Sequence, residues 1–377
     1  MTDYISVLTS GTYFAGRPGE LSLFMLEEIL TMDMVPAPSA RQEAPEWTPP
    51  APLVSWIDGG GSKMEVAANF TAWDKIRAWI WLARPPFQTV GVLPFTLGSV
   101  IAWYSEGYFD WGLWACGALA VVFVMLSTYW AGECFDYEED TISGNLGRSK
   151  FAGGTGVVQT GAVSRRASFI GSIIALTLAA CTGLIIWLGF GTGPFTIPLG
   201  IIGIVGGFLY STPPVRWVST GWGELWIGLC YGFLPVAVGC YLPTGRFDAL
   251  ALIAAVPISA TIFNVILENE YPDWESDKST GKRNLLQRFG PEQGAKIYLA
   301  ASAVGWAGAA FSVVAGVPTI FFAYYALPLL ASIYVSHGLL KRKWKDRREL
   351  EVLCGLGIFA NLGTTTAYIL AFLCARG

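Results

Sequence analysis

The sequence predicts an all-α membrane protein with nine transmembrane helices, and three observations predict this fold class. Hydrophobic residues make up 53% of the 377 residues and charged residues only 14%, whereas a soluble chain carries about a quarter charged residues. Apolar stretches recur along the chain at lengths that suit a bilayer. Nearly all the basic residues lie before the first stretch or in every second connection between stretches, so they fall on one side of the membrane.

Residues 1–63 are predicted to be an N-terminal extension ahead of a membrane domain that we place at residues 64–377. Within the extension, residues 19–34 have the pattern of a short acidic amphipathic helix, which is either a loosely ordered tail or a docking helix for a protein partner. Residues 36–52 are rich in proline and predict an extended linker. Tryptophan with lysine and arginine over residues 70–82 is typical of a segment that lies along the membrane surface.

Nine apolar stretches are long enough to cross about 30 Å of hydrocarbon, which takes roughly 20 helical residues each. Proline inside several of them is tolerable, because neighbouring helices satisfy the freed backbone groups. The predicted spans are residues 85–104, 111–131, 167–189, 195–212, 223–242, 248–268, 294–315, 318–338 and 351–374.

The distribution of basic residues predicts that the N-terminus is cytoplasmic. With that orientation, 22 of the 24 lysines and arginines lie on the cytoplasmic side, and only Arg246 and Arg376 lie on the other. The run from Lys341 to Arg348 supplies six of the 22. Positive charge is enriched in the cytoplasmic loops of membrane proteins, and a contact of this run with anionic lipid is possible on the same grounds. We therefore expect an integral protein of the cytoplasmic or inner membrane.

The counts of histidine and cysteine argue against several kinds of metal centre. The chain has one histidine and seven cysteines, and the cysteines lie mostly in apolar stretches without paired spacing. They read as small core residues rather than as disulfides or metal ligands. A zinc, haem or copper centre is therefore not expected, and neither is a nucleic-acid partner.

Two loops hold nearly all the acidic residues of the membrane domain. The first follows span two and contains Asp136 and Asp140, and the second follows span six and contains Asp273 and Asp277. A spacing of four residues puts both carboxylates of a pair on one face of a helix. The positions after spans two and six suggest an internal duplication that brings the pairs face to face. The sequence therefore predicts one site built from both loops.

A divalent cation with a diphosphate explains these pairs best. Hard cations such as Mg²⁺ prefer carboxylate oxygens together with substrate phosphates. Basic residues follow each pair and can bind the remaining phosphate oxygens, and they are Arg148, Lys150, Lys282 and Arg283. One acidic pair at a helix end is usually a solvated cap, but two pairs that are each followed by basic residues favour a magnesium–diphosphate site.

The two motifs resemble those of the UbiA superfamily of intramembrane aromatic prenyltransferases, over roughly residues 75–375. The resemblance implies nine helices around a central cavity, with Mg²⁺ and an isoprenyl diphosphate held by two aspartate-rich motifs. The first motif of that family begins with Asn-Asp, whereas this chain has Gly132-Glu133, so Glu133 becomes a further candidate metal ligand. The catalytic and metal-binding residues implied by the resemblance are Asp136, Asp140, Asp273 and Asp277.

Within the superfamily, the chain is most similar to the menaquinone-pathway branch, which prenylates dihydroxynaphthoate. The stretches that carry the likeness are Ala83-Arg84-Pro85, Gly153-Gly154, Tyr210-Ser-Thr-Pro-Pro214, Gly221-Trp-Gly-Glu224 and Gly281-Lys282-Arg283.

Three further residues are candidates for diphosphate binding. The resemblance makes the turn with Tyr210 and Arg216 a lid over the diphosphate, while the simpler interpretation is a proline-terminated helix with an arginine that reaches for the interface. Asn269 lies one turn before Asp273 and needs a polar partner. Glu224 begins span five, where its carboxylate is expected to stabilise the helix N-terminus whether or not it has a role in the site.

The predicted function is Mg²⁺-dependent transfer of an isoprenyl group from isoprenyl diphosphate to a small aromatic acceptor, within the lipid bilayer. Alternatives within the same fold are a chlorophyllide, homogentisate or glycerol-phosphate acceptor. A non-catalytic membrane subunit that retains the fold is a different class of protein, and Gly132 and the N-terminal extension motivate it. A transporter is disfavoured, because the charged residues lie at one membrane face rather than at the midplane.

Overall fold

The computed structural model of the protein describes residues 70–376, which form helices and connecting loops with no strands. In chain order the helices are α1 (Ala72–Leu82), α2 (Pro85–Glu106), α3 (Trp111–Phe135), α4 (Tyr137–Gly147), α5 (Arg165–Gly189), α6 (Thr196–Ser211), α7 (Gly223–Thr244), α8 (Ala249–Asn269), α9 (Trp274–Ser279), α10 (Leu285–Phe289), α11 (Pro291–Val314), α12 (Phe321–Leu340) and α13 (Arg347–Arg376). The predicted all-α fold is confirmed over these residues, whereas the predictions for residues 1–63 lie outside them.

Each of the nine predicted spans coincides with one apolar helix among the described residues. Eight helical segments are long and apolar enough to cross a membrane, and the first of them joins α1 and α2 into one stretch from Ala72 to Glu106. The remaining apolar helix, α6, has 16 residues and is about 24 Å long at 1.5 Å per residue. That length is short of a full span, so the count of nine crossings stays a prediction.

The segment predicted to lie on the membrane surface is a separate helix. A capping box begins α1, because the Thr71 hydroxyl accepts from the Asp74 backbone and the Asp74 carboxylate accepts from Thr71. Arg84 then adopts a left-handed conformation, with φ of 46°, immediately before the two prolines that begin α2. The chain turns at this residue, and the Arg84 side chain is directed into the interior of the protein.

The helices approach one another most closely where small residues meet. A Cβ added to Gly98 of α2 would lie 2.1 Å from the Val236 carbonyl of α7, and one added to Gly239 of α7 would lie 2.1 Å from the Phe95 carbonyl of α2. Hydroxyl contacts also join helices, for instance Ser127 of α3 and Ser172 of α5 at 3.1 Å. Close backbone packing of this kind stabilises helix association in membranes, where there is no hydrophobic drive between helices.

Candidate active site

Both acidic motifs lie at breaks between a long helix and a short one. Helix α3 ends at Phe135, and Asp136 links it to the short helix α4. Helix α8 ends at Asn269, and a turn through Asp273 leads into α9. In both cases the first aspartate of the pair stands at the break and the second lies one turn further on, so the pairs occupy equivalent positions.

The two motifs meet, as the predicted duplication requires. The hydroxyl of Ser143, on α4, donates a hydrogen bond of 2.7 Å to Oδ1 of Asp273. A cavity of about 240 Å³ lies between the motifs, and its wall includes Glu133, Asp136, Asp140, Asp273 and Asp277. The structure therefore brings all five predicted carboxylates to one cavity.

The glycine-rich loop after α4 folds over Asp140. The Gly154 backbone N–H donates a hydrogen bond of 2.7 Å to Oδ1 of this aspartate, and a Cβ on Gly154 would lie 2.0 Å from Oδ2. Arg148 supports the loop from behind by donating to the Gly154 carbonyl and, at 3.3 Å, to the Asp140 carbonyl. Only glycine leaves room for this approach of backbone to carboxylate.

Basic side chains neutralise most of the acidic groups. Glu133 is buried and accepts from Arg84 at 2.9 Å and from the Thr155 backbone at 2.7 Å. Arg216 bridges Asp136 at 2.5 Å and Glu139 at 3.1 Å. These charge-assisted pairs hold the carboxylates in place before any ligand binds.

The second motif has a similar arrangement. Lys282 lies 3.3 Å from Asp277, and the Asn284 amide donates to the same carboxylate at 2.8 Å. Burial of the Lys282 ammonium lowers its pKa, but Asp136 and Asp277 outweigh this effect, so the pKa is raised overall. Lys282 is therefore a fixed positive charge in the wall of the cavity.

Asp140, Asp273 and Asp277 are harder to ionise than aspartates in water. Burial, together with Glu133 and Asp136, raises the pKa of Asp140 well above its usual range. Burial also raises the pKa of Asp273, and it raises that of Asp277 to about 6 despite the opposing effect of Lys282. Such carboxylates have more to gain from a cation than solvated ones, since the cation restores the charged form.

The cavity has a polar end and an apolar end. Carboxylates, Lys282 and Arg84 surround the polar end. The remaining wall is contributed by α2, α7, α8 and α13 through Phe87, Val90, Ile227, Ile262, Val265 and Ile358. Tyr129, Tyr210 and Tyr231 also line it. An amphiphilic ligand with an anionic head and a hydrocarbon tail matches this polarity.

The predicted diphosphate-binding residues occupy three kinds of position. Lys282, Tyr210 and Asn269 line the cavity. Arg216 lies at the edge of the cavity, where it pairs with Asp136 of the wall. Arg148 contacts the wall from outside, because it donates to the Gly154 carbonyl of the glycine-rich loop. Lys150 and Arg283 are exposed and lie outside the cavity wall, so their roles stay predictions. Asn264 has a structural role, since its amide donates to Ser302 of α11 at 2.8 Å.

Four further residues of the site, namely Arg84, Ser143, Glu270 and Asn284, were not selected from the sequence for a role in it. The Arg84–Glu133 pair joins positions 49 residues apart, and no local spacing reveals such a pair. Glu270 lines the cavity three residues before Asp273, and its carboxylate inside the second motif was the available signal. Ser143 and Asn284 gave no signal in the sequence, because neither residue type by itself indicates a functional site.

The donor set fits Mg²⁺ bound together with a phosphate ligand. Within residues 70–376, no three His, Cys, Asp or Glu side chains are already grouped around a metal position. Mg²⁺ is typically held by one or two carboxylates, water and substrate phosphate oxygens rather than by a complete protein cage. Oxygen atoms of Glu133 and Asn269, both in the cavity wall, are buried without a hydrogen-bond partner. They are further hard donors for such a cation.

The fold and the site define a polytopic membrane protein with a carboxylate-lined cavity between paired helix breaks. The sequence profile described as the UbiA prenyltransferase family matches residues 92–363, well over half of the chain. The chain belongs to the UbiA prenyltransferase family, and it is accordingly an enzyme of the prenyltransferase class, integral to a membrane.

Curated relatives of the chain include enzymes named for naphthoate or naphthoquinone substrates. The 1,4-dihydroxy-2-naphthoate octaprenyltransferase of Bacillus subtilis is 26% identical over 257 residues, covering 66% of this chain and 78% of the relative. The 2-carboxy-1,4-naphthoquinone phytyltransferase of Synechocystis is 25% identical over 59% of this chain and 69% of its own length.

Solved structures share the fold. A UbiA homolog from Archaeoglobus fulgidus bound to GPP and Mg²⁺ aligns with a TM-score of 0.58 at 20% identity, over 79% of this chain and 99% of its own. A digeranylgeranylglyceryl phosphate synthase aligns with the same TM-score of 0.58 at 16% identity, over 80% and 99% of the two chains.

Proposed function

We propose that the protein transfers an isoprenyl group from isoprenyl diphosphate to a small aromatic acceptor of the dihydroxynaphthoate type, with Mg²⁺ as cofactor. One observation carries this proposal: two acidic motifs face each other at the polar end of a cavity whose other wall is apolar. The diphosphate would lie between the motifs and the isoprenyl chain along the apolar wall. The naphthoate relatives support the acceptor class.

The side chains of the site bind and orient the leaving diphosphate. The metal, held by Asp136, Asp140, Asp273 and Asp277, would supply Lewis-acid stabilisation of the leaving group. Lys282 and Arg216 present positive charge toward the oxygens on which charge develops as the allylic C–O bond breaks. Tyr129, Tyr210 and Tyr231 line the cavity where the allylic cation forms, and their ring faces stabilise a cation.

The first experiment is a prenyl-transfer assay in liposomes with geranyl diphosphate, 1,4-dihydroxy-2-naphthoate and a panel of other acceptors, with and without Mg²⁺. We expect Mg²⁺-dependent product that falls more than 100-fold in Asp273→Ala, because the metal loses a ligand. Two exposed acids supply matched controls, Glu138 beside Asp140 and Glu275 beside Asp273, and Glu138→Ala and Glu275→Ala should retain activity.

Each alternative has its own outcome in this assay. Product with only a chlorophyllide, homogentisate or glycerol-phosphate acceptor would keep the enzyme class and change the acceptor. Binding of geranyl diphosphate without product from any acceptor would indicate a non-catalytic subunit. In that case residues 19–34 become the first segment to test for a protein partner.

A further inference from the structure

One arginine of the basic run from Lys341 to Arg348 contacts the helix that carries the first acidic motif. Arg347 lies in the first turn of α13, where a positive charge opposes the helix dipole. Its guanidinium donates to the carbonyls of Leu146 at 3.3 Å, of Gly147, and of Arg148 at 3.0 Å. These carbonyls are at the end of α4, about 200 residues earlier in the chain. Positive charge and anionic lipid explain a basic run in general, but they do not explain this contact.

The end of α4 is shaped to receive the guanidinium. The last carbonyls of a helix have no partner within the helix, and arginine side chains can donate to them. Gly147 ends α4 in a left-handed conformation, with φ of 101°, and a Cβ at this position would overlap the Arg347 guanidinium. Arg347 is exposed, but one planar guanidinium shared by three carbonyls is more restricted than a single surface pair.

Two further residues of α13 contact the chain just after α4. Oε2 of Glu351 accepts from the Lys150 backbone N–H at 3.3 Å. A Cβ on Gly355 would lie 3.3 Å from Cζ of Phe151, so the Phe151 ring packs against this part of the helix. Residues four apart share one face of a helix. Arg347, Glu351 and Gly355 therefore form one continuous contact, which we call the α13 clamp.

The segment that the α13 clamp contacts leads directly into the active site. Phe151, Gly153 and Gly154 of the glycine-rich loop line the cavity. The preceding helix α4 carries Asp140, and its Ser143 donates to Asp273 at 2.7 Å. A glycine-rich loop has little conformational restriction of its own, so its position depends on contacts outside it. A displacement of α4 from α13 would disturb both acidic motifs.

We propose that Arg347 and Glu351 are positioning residues of the active site, which hold the glycine-rich loop closed over the diphosphate and exclude water. The inference rests on the proposed prenyl transfer. It assigns Arg347 to the site and leaves Arg348, the next residue of the run, on the exposed surface. Neither positioning residue touches the substrate, because both act through the loop between α4 and α5.

Water exclusion gives the α13 clamp a chemical consequence. In prenyl transfer the allylic C–O bond breaks, its electron pair stays on the diphosphate, and a ring carbon of the acceptor takes the allylic carbon. If the loop opens, a water oxygen bonds to that carbon instead and its extra proton passes to solvent. The products are then free diphosphate and the isoprenyl alcohol. An enclosed site suppresses this side reaction, so the ratio of alcohol to prenylated product reports loop closure.

The test compares the wild-type protein with Arg347→Gln and Arg347→Lys in liposomes, using geranyl diphosphate, Mg²⁺ and 1,4-dihydroxy-2-naphthoate. The KM for geranyl diphosphate and the ratio of geraniol to prenylated product are measured for each protein. Hydrogen exchange of the backbone amides of residues 148–156 is measured without substrate, together with Tm in detergent. Arg348→Gln is the matched control, because it removes the same charge from the same turn of α13.

We expect Arg347→Gln to raise the KM for geranyl diphosphate by about tenfold, the usual effect of losing a charged hydrogen bond. The proportion of geraniol should rise, and the loop amides should exchange faster, since a local contact is lost. Arg348→Gln should match the wild-type protein in all three measurements. Arg347→Lys should recover part of the loss, because lysine keeps the charge but not the planar fork.

Glu351 provides a second, independent pair of variants. Its contact needs only an acceptor oxygen, which glutamine also offers and alanine does not. Glu351→Ala should therefore raise the KM and the proportion of geraniol more than Glu351→Gln does. Equal effects of the two variants would mean that the carboxylate charge, and not the bond to the Lys150 backbone, is what matters.

Two further results would overturn the inference. Equal changes in Arg347→Gln and Arg348→Gln would show that the run acts through its total charge. A lower Tm with unchanged KM, geraniol ratio and loop exchange would reduce Arg347 to a contribution to overall stability. If the wild-type protein prenylates no acceptor, the proposed function fails. Loop exchange in Arg347→Gln and Arg348→Gln still decides in that case whether the α13 clamp holds the loop.

Discussion

At the scale of single residues, Arg216 shows how the site is held before substrate arrives. Its guanidinium bridges Asp136 and Glu139, and these two carboxylates outweigh the effect of burial, so the pKa of Arg216 is raised. In the proposed site, a metal that binds Asp136 would compete with this guanidinium, which would move to the incoming diphosphate. Binding of metal and binding of diphosphate are expected to be coupled for this reason.

This arrangement predicts that Arg216→Gln increases the affinity of the substrate-free protein for Mn²⁺, by roughly tenfold or about 1.4 kcal/mol. Prenyl transfer should fall in the same variant, because the diphosphate loses a positive partner. Mn²⁺ binding is measured by electron paramagnetic resonance without diphosphate. Arg288→Gln is the control, because this exposed arginine donates to the backbone carbonyls of Arg283 and Thr220 rather than to a carboxylate. Unchanged Mn²⁺ affinity would contradict the competition.

Residue types and spacing predicted the acidic pairs but not their partners. Asp136, Asp140, Asp273 and Asp277 were found because a four-residue repeat of like charge is unusual, and the structure places all of them in the cavity wall. Lys282 and Arg283 are adjacent in sequence, yet Lys282 faces the cavity and Arg283 is exposed. The geometry of the turn after α9 determines which of the two side chains faces the cavity, and sequence spacing does not predict that geometry.

At the scale of helices, the contact between α2 and α7 depends on two glycines. Carbonyl oxygens of the opposite helix occupy the positions that side chains at Gly98 and Gly239 would need. Both helices contribute to the cavity wall, through Phe87 and Val90 on α2 and Ile227 and Tyr231 on α7. The distance between them therefore sets part of the width of the cavity.

We expect Gly98→Ala to destabilise the protein by about 2–4 kcal/mol, because the added methyl overlaps backbone that cannot move aside easily. Thermal unfolding in detergent measures the effect as a lower Tm. Gly183→Ala in α5 is a matched control, since nothing lies within 4 Å of its Cβ position and alanine favours a helix. Equal Tm values for the two variants would refute the close contact.

The nine apolar helices were predictable from hydrophobic length alone, but their interruptions were not. The break at Asp136 separates α3 from α4, and a turn of π-helix over Gly228–Phe233 interrupts α7 beside the cavity. Tertiary packing determines where such breaks fall, because local propensity does not distinguish a continuous helix from one with a widened turn. Helix α6, by contrast, ends at Ser211, within one residue of the end of its predicted span.

At the scale of the whole molecule, charge is separated between two ends. The two basic residues predicted on the far side do lie together. Arg246 pairs with Glu106 at the end of α2, and the Arg376 guanidinium lies 4.4 Å from the centre of the Trp103 ring in the same helix. Arg84, at the opposite end of α2, belongs to the acidic site. The site and these two arginines are therefore at opposite ends of the helix bundle.

We predict that the acidic site faces the cytoplasm. In a background in which the seven cysteines are replaced, single cysteines at Lys150 and Arg283 should react with a membrane-impermeant maleimide in inside-out vesicles. A single cysteine at Arg246, which is exposed at the other end, should react only in right-side-out vesicles. The reverse pattern would invert the orientation derived from the positive charges.

The last helix also determines when the site can exist during synthesis. Ile358 and Asn361 of α13 close one side of the cavity, and Arg347 at its start donates to the Leu146 and Arg148 carbonyls at the end of α4. Both acidic motifs leave the ribosome before α13 does. The nascent chain therefore carries its acidic groups through membrane insertion without a closed cavity, and the cavity closes only after α13 has been translated.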